Sequence, residues 1–83
     1  MKLKYFAWLR DSMGCDSEDI VLPGGIDNVG RLLDWLPTQG ERFAKAFEYI
    51  DVVLVSVNRH HANRDHPVRD ADEVTLAPPI AGG

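Results

Sequence analysis

The sequence predicts a single α+β domain, in which a mixed β-sheet packs on one main helix. Residues alternate between apolar and polar near both ends of the chain and again in its second half, a period typical of strands. A stretch with the period of an amphipathic helix lies between them. The chain has 83 residues, too few for two hydrophobic cores. This order, without internal repeats, favours α+β over an alternating parallel array of strands and helices.

The first predicted strand covers residues 2–9, and an antiparallel partner is predicted at 19–22. The side of the first strand that faces the core comprises Leu3, Tyr5, Ala7 and Leu9. Its other side carries the aromatic residues Phe6 and Trp8. Between the two strands, a short helical turn is predicted at 10–13, because Gly14 can end it in a left-handed conformation.

The main helix is predicted to begin at Asp27 or Asn28, since either side chain can cap it. Pro37 and Gly40 are expected to end it. Its buried stripe, at helical spacing, comprises Val29, Leu32, Leu33 and Leu36. A second helical stretch is predicted at 41–49, and its alternative is an irregular loop. The apolar residues of that stretch are Phe43, Ala44 and Phe47.

The second half of the chain is predicted to supply the remaining strands. Residues 52–57 are rich in β-branched side chains and form a central strand, and residues 60–72 hold a short edge strand and turns. Residues 73–77 alternate again, and Pro78 and Pro79 end the pairing because proline has no amide hydrogen to donate. The predicted core comprises Leu3, Tyr5, Val29, Leu32, Leu36, Val53, Val55, Val57, Val74 and Leu76.

Composition excludes several classes of protein. The net charge of −4 provides no basic surface for a nucleic acid. The single cysteine, Cys15, cannot form an internal disulfide, so a reducing, cytoplasmic location is expected. No apolar stretch has the length of a membrane span or the pattern of a signal peptide, so no membrane partner is expected. No metal is expected either, because His60, His61 and His66 lack the spacing and partners of a metal site.

The residues after the last strand, 78–83, read Pro-Pro-Ile-Ala-Gly-Gly and predict a flexible tail outside the sheet. Glycine has no side chain, so this end can pass through a narrow channel and the carboxylate of Gly83 can adopt many approaches. A terminal carboxylate becomes reactive once it is activated, commonly as an acyl adenylate. The alternative interpretation of a Gly-Gly end is a disordered terminus or a remnant of processing.

Four segments of the chain carry a resemblance to a known family. They are residues 10–14, Asp65-His66-Pro67-Val68, Asp70-Ala71-Asp72-Glu73-Val74 and the tail 78–83. In their order and spacing they resemble the small subunits of molybdopterin synthase, the MoaD family, whereas the helices match only in pattern. The resemblance implies a ubiquitin-like β-grasp fold, with a β-grasp domain at 1–77 and a functional tail at 78–83.

The resemblance also implies a function for Gly83. An E1-like enzyme would consume ATP to adenylate its carboxylate, and sulfur from a persulfide enzyme would convert it to a thiocarboxylate. The tail would then enter the large subunit of molybdopterin synthase and donate sulfur to cyclic pyranopterin monophosphate, forming the dithiolene of the molybdenum cofactor. On this basis the chain is a non-catalytic sulfur donor without a bound cofactor, in a heterotetramer whose large subunit provides the catalytic side chains.

A partner-binding surface is expected around the tail. Besides Gly83, the residues assigned to it are Gly82, Ala81, Ile80, Pro79, Pro78, Ala77, Phe6, Trp8 and His61. Ala77 departs from the family, which often has an aromatic residue at this position. Phe6 and Trp8 are expected to replace the missing contact area, and His61 to lie at the rim. The alternative is that the two aromatic side chains only cover the sheet.

Three other functions are compatible with the same features. A sulfur carrier of the thiamine pathway shares the terminal Gly-Gly, but it is usually shorter and lacks the double proline. A ubiquitin-like modifier would use the same activation to form amide bonds with lysine side chains. A plain interaction domain would have an inert tail.

Overall fold

The computed structural model describes residues 1–48 and 53–77. Its centre is a five-stranded sheet with the order β2-β1-β5-β3-β4. The strands are β1 (Lys2–Tyr5), β2 (Ser17–Asp19), β3 (Leu54–Val57), β4 (His60–His61) and β5 (Glu73–Ala77). β1 and β5 are parallel, and the three other pairs are antiparallel. The predicted mixed sheet is therefore confirmed, and β5 lies at its centre.

Short helices cover one face of the sheet. They are α1 (Trp8–Met13), α2 (Val29–Trp35) and α3 (Glu41–Ala46), with a 3-10 helix at Leu36–Gln39 between the last two. Of the two predicted caps for the main helix, Asn28 is the one used: its side-chain oxygen accepts a hydrogen bond of 2.8 Å from the amide of Arg31. None of the helices within residues 1–48 and 53–77 has the length and hydrophobicity that crossing a bilayer requires.

The hydrophobic core lies between the sheet and the helices. All ten residues of the predicted core are buried, and those fully excluded from solvent include Leu32 and Leu36 on the helical side and Leu3 and Leu76 on the sheet. The two periods of the sequence therefore meet in one core, as predicted. Trp35, at the margin of this core, is partly buried.

The predicted strand at 2–9 is wrong beyond Tyr5. Ala7 has a φ of 55°, which turns the chain out of the sheet and into α1, and its side chain is exposed instead of buried. Leu9 is buried as predicted, but from α1 and not from a strand. The helical turn predicted at 10–13 therefore begins at Trp8, and it ends where expected, at Gly14, which has a φ of 79°.

Four other boundaries differ from the prediction. The strand predicted at 52–57 begins at Leu54, and residue 52 lies outside the described residues. The second strand is Ser17–Asp19 instead of 19–22, and Val21, which follows it, is 83% exposed. α2 ends at Trp35, and Pro37 lies inside the 3-10 helix instead of after the last helical residue. α3 ends at Ala46, with Ala46 buried in place of Ala44; residue 49, at the predicted end of this helix, lies outside the described residues.

Candidate functional site

The end of β5 is the place from which residues 78–83 continue. Its last residue, Ala77, is directly opposite Leu54 of β3. On the other side, the amide of Phe6 donates a hydrogen bond of 3.1 Å to the carbonyl oxygen of Leu76, so the residue after β1 lies beside Ala77. Phe6, Ala77 and Leu54 thus form one row across three neighbouring strands, which we call the exit row.

The exit row lies on the face of the sheet opposite the helices. Its neighbours one residue back, Tyr5 and Leu76, are buried, and side chains alternate between faces along a strand. Phe6 is 51% exposed and Leu54 is 43% exposed. Because strands are spaced by about 4.8 Å, the row is roughly 10 Å wide, with the methyl group of Ala77 between two larger side chains. Exposed apolar side chains grouped in this way are typical of a protein interface.

A polar row lies next to the exit row on the same face. It contains Lys4, Thr75 and Ser56, which are aligned across the three central strands, and His61 of β4 is paired with Ser56. His61 is exposed, at the outer edge of the sheet, on the face where the sequence placed it. The apolar exit row is therefore bordered by hydrogen-bonding groups.

The structure separates Trp8 from the expected surface. Trp8 is the first residue of α1 and not part of the first strand, although 42% of its surface is exposed. It follows Phe6 by two residues, after the turn at Ala7, so it does not belong to the exit row. Leu54 occupies the row instead, a position that the sequence does not predict.

The remaining predicted site residues are outside the described part of the chain. They are Pro78, Pro79, Ile80, Ala81, Gly82 and Gly83. Their roles stay predictions. Within residues 1–48 and 53–77, no group of three or more histidine, cysteine or acidic residues is arranged to hold a metal ion.

A second polar cluster, which the sequence did not reveal, surrounds Glu18 of β2. One oxygen of its carboxylate accepts a hydrogen bond of 2.9 Å from the hydroxyl of Tyr5, and the other forms a 2.9 Å ion pair with Arg42 of α3. Arg42 also donates a 2.6 Å hydrogen bond to the carbonyl oxygen of Met13, at the end of α1. The thiol of Cys15 lies 3.6 Å from the carboxylate. This cluster joins the edge of the sheet to two helices.

The hydrogen bonds of the cluster decide which of its groups are charged. Partial burial opposes ionisation of Glu18, but hydrogen bonds from Arg42 and Tyr5 outweigh it and hold the pKa of that carboxyl below its ordinary value. Burial, together with the hydrogen bond to Glu18 and its negative charge, raises the pKa of Tyr5. Tyr5 is therefore a neutral donor and Glu18 a charged acceptor at neutral pH, an arrangement that stabilises the fold.

Comparison with known proteins identifies the family. The model of the ThiS family matches residues 3–83. The molybdopterin synthase sulfur carrier subunit of Escherichia coli (strain K12) is 32% identical over 83 residues, which cover 100% of this chain and 99% of that protein.

Two solved structures extend the similarity to the fold. Small archaeal modifier protein 1 from Haloferax volcanii has a TM-score of 0.74 at 26% identity, with 96% of this chain and 97% of that one covered. A putative molybdopterin converting factor, subunit 1, from Pyrococcus furiosus has a TM-score of 0.67 at 30% identity, with 95% of each chain covered. The expected ubiquitin-like β-grasp fold is confirmed. The matched residues and the full-length similarity show that this chain belongs to the ThiS family.

Proposed function

We propose that this chain is the sulfur carrier subunit of a molybdopterin synthase. The observation that carries the proposal is its similarity, over its full length, to the E. coli protein of that name. Gly82 and Gly83 suit sulfur transfer through a terminal carboxylate, because residues without side chains can enter a narrow active site. Sulfur would leave from a thiocarboxylate at Gly83 and enter cyclic pyranopterin monophosphate, and two such deliveries would form the dithiolene that later holds molybdenum.

The chemistry at Gly83 is an acyl transfer in which this chain provides the acyl group. Its carboxylate oxygen attacks the α-phosphorus of ATP on the E1-like enzyme, and pyrophosphate leaves. The outer sulfur of a persulfide then attacks the acyl carbon and displaces AMP, which gives an acyl disulfide with the persulfide enzyme. A thiol attacks that enzyme's sulfur, forms a disulfide with it and releases the thiocarboxylate. ATP is consumed by the activating enzyme, and the groups that transfer protons belong to the partner enzymes.

The exit row supports this proposal because it provides an apolar surface around Ala77, the residue that precedes the tail. A partner that covers Phe6 and Leu54 would also fix the position of Ala77. Fixing one end of a short segment reduces the entropy that is lost when its other end enters an active site. We assign the residues of the exit row, with His61 at its rim, to the contact with the large subunit. Residues 78–82 would then guide Gly83 to the substrate.

Intact-mass measurement tests the first step. The protein is incubated with the activating enzyme, ATP and the persulfide enzyme, and its mass should rise by the difference between one sulfur and one oxygen atom. A variant that lacks Gly83 is the matched control: it should show no such increase, and its melting temperature should stay within about 1 °C of the unchanged protein if residues beyond Pro79 contribute nothing to the core.

The second step requires the large subunit. Thiocarboxylated protein mixed with it and cyclic pyranopterin monophosphate should yield molybdopterin in a single turnover. A variant with one residue appended after Gly83 should yield none. Full activity of the extended variant, with the extra residue still attached, would contradict the proposed mechanism.

A second candidate function is favoured by the similarity to small archaeal modifier protein 1. As a modifier, the chain would use the same adenylate but pass its acyl group to a lysine amine. The two functions give different products: isopeptide-linked proteins in cells would indicate the modifier, whereas molybdopterin formation would indicate the carrier. A thiamine-pathway carrier would form the thiocarboxylate but fail with the large subunit.

A further inference from the structure

The outer edge of β2 carries backbone groups that the sheet does not use. The amide of Ile20 donates to the carbonyl oxygen of Met1 at 2.8 Å, and the amide of Tyr5 donates to that of Asp16 at 2.9 Å. The backbone amide and carbonyl groups of Asp16, Glu18 and Ile20 therefore point toward β1. By the antiparallel pattern, the odd-numbered residues Ser17, Asp19 and Val21 direct theirs away from the sheet. No hydrogen bond within the described ranges takes up these outward groups.

An apolar groove runs beside this edge, on the helical side of the sheet. Its volume is about 290 Å³, and we call it the β2 groove. It is lined by Ile20, Val21, Trp35, Leu36 and Phe43, with Glu18 and Gln39. Val21 is 83% exposed, and Trp35 is only partly buried. A strand edge next to a groove of this kind can accept one more strand, whose alternate side chains would enter the groove.

The charge around the edge indicates what kind of strand would fit. Asp16 and Asp19 are exposed, and neither forms an ion pair with any residue of the described part of the chain. On the face of Asp19, Lys2 is opposite Asp19 without reaching ion-pair distance, and Lys4, opposite Ser17, is paired with Glu73 at 3.6 Å. Glu18 and Arg42 neutralise each other, so Arg42 leaves no free positive charge here. The unpaired charges at the edge are thus the carboxylates of Asp16 and Asp19 against the single ammonium of Lys2, an excess of negative charge that favours a basic partner.

We propose that the β2 edge and the β2 groove bind an extended basic segment of a second protein. In this segment apolar residues alternate with lysine or arginine. Its apolar side chains enter the groove over Trp35 and Ile20, and its basic side chains lie on the other face near Asp19. The backbone of the segment takes up the outward groups of Ser17, Asp19 and Val21.

This surface is separate from the exit row. β1 lies between β2 and β5, and the β2 groove is on the helical face whereas the exit row is on the opposite face. A protein held at β2 therefore leaves Phe6, Ala77 and Leu54 accessible. The inference does not depend on which function the tail performs, because no residue of the tail belongs to the β2 edge.

The test uses the full-length protein and two synthetic six-residue peptides, one alternating valine with lysine and one alternating valine with glutamate. NMR titration of the amide signals measures binding. The lysine peptide should shift the signals of Ser17, Asp19, Val21 and Trp35. The glutamate peptide should bind at least about fivefold more weakly, as expected for a few partly screened charge contacts.

Two variants locate the site, and each is first checked for an unchanged fold by circular dichroism. Asp19→Lys should weaken binding of the lysine peptide about fivefold or more, whereas Asp65→Lys, the same charge change beyond β4, should not. Val21→Pro removes an outward amide and should weaken binding without affecting the pairing with β1.

Three results would overturn the proposal: no shift with the lysine peptide, equal affinity for the two peptides, or unchanged affinity of both Asp19→Lys and Val21→Pro. Sedimentation provides the last check. If the protein forms dimers that Val21→Pro dissociates, the edge binds a second copy of this chain and the assigned basic partner is wrong.

Discussion

Truncation of Leu32 to alanine should remove a large part of the stability of this domain. Leu32 is on α2 and has no solvent-exposed surface. Truncation of a fully buried leucine to alanine lowers the free energy of unfolding by about 2–5 kcal/mol. The loss has two parts: less apolar surface is buried, and the surrounding side chains fill the resulting cavity only partly. The total free energy of unfolding of a small domain is about 5–15 kcal/mol. For 83 residues, each kcal/mol lowers the melting temperature by about 6 °C, so a fall of roughly 10–30 °C is expected.

Leu54→Ala is the matched control, since it is the same chemical change at a side chain that is 43% exposed. It should cost less than about 1.5 kcal/mol, because the removed methyl groups already contact water. Urea denaturation, followed by circular dichroism, gives both free energies of unfolding. An unchanged midpoint for Leu32→Ala, or an equal loss for Leu54→Ala, would refute the assignment of α2 to the core and of Leu54 to the surface.

Three further predictions concern binding, a turn and acid stability. Phe6→Ala should weaken binding of the large subunit by about tenfold or more, as for a central aromatic anchor, and Trp8→Ala by less, because Trp8 is outside the exit row; calorimetry measures both affinities, and a larger loss for Trp8 would contradict the placement. Arg59→Gly should raise the free energy of unfolding by up to about 1 kcal/mol, because the two-residue β3–β4 turn holds Arg59 at a φ of 72°, a conformation that suits glycine; a loss of stability on thermal denaturation would count against this. Glu18→Gln should reduce the decrease in the free energy of unfolding that occurs as the pH falls into the acid range. The pKa of Glu18 is lower when folded, so its contribution is present above the unfolded value of about 4.3 and is lost as pH falls through the folded value. An identical pH dependence of urea unfolding in the two proteins would exclude this role.

The core could be predicted from sequence because each buried side chain belongs to a regular period. Val74 and Leu76 alternate with polar residues, and Leu32 and Leu36 are separated by one helical turn, so the faces are determined locally. The end of β1 could not be predicted in this way. Leu9 continues the strand period and is also compatible with a helix face, and only the backbone at Ala7 distinguishes the two.

The start of β2 is predicted two residues too late, and its end three residues too late, for a different reason. Its core-facing side chain is Glu18, a carboxylate whose charge is satisfied by Tyr5 and Arg42. A strand with a charged residue on its inner face shows no apolar alternation, so the apolar residues after it gave the stronger pattern. The partners of Glu18 are distant in sequence, and no local period connects them.

The candidate site could be predicted only in part. Phe6 and Ala77 could be predicted because outward positions on the first and last strands are neighbours when those strands pair, and the two residues lie side by side. Leu54 could not be predicted, because β3 and β5 are separated by residues 58–72 and their register is set by tertiary packing. Phe6 and Trp8 are predicted on the same face because the strand is predicted to continue to residue 9. The chain leaves the sheet at Ala7, so only Phe6 lies on that face.

The parallel pairing of β1 with β5 has a consequence for how the protein folds. The first residue pair of this register joins Lys2 to Glu73, so about 70 residues must be closed into a loop before the middle of the sheet is complete. The length-dependent part of that closure costs roughly 4 kcal/mol in chain entropy. During synthesis the β1–β2 hairpin can form early, but the other edge of β1 stays unpaired until the β5 segment has emerged. We therefore expect folding to be slower than that of helical domains of this size, with its rate limited by the meeting of distant strands.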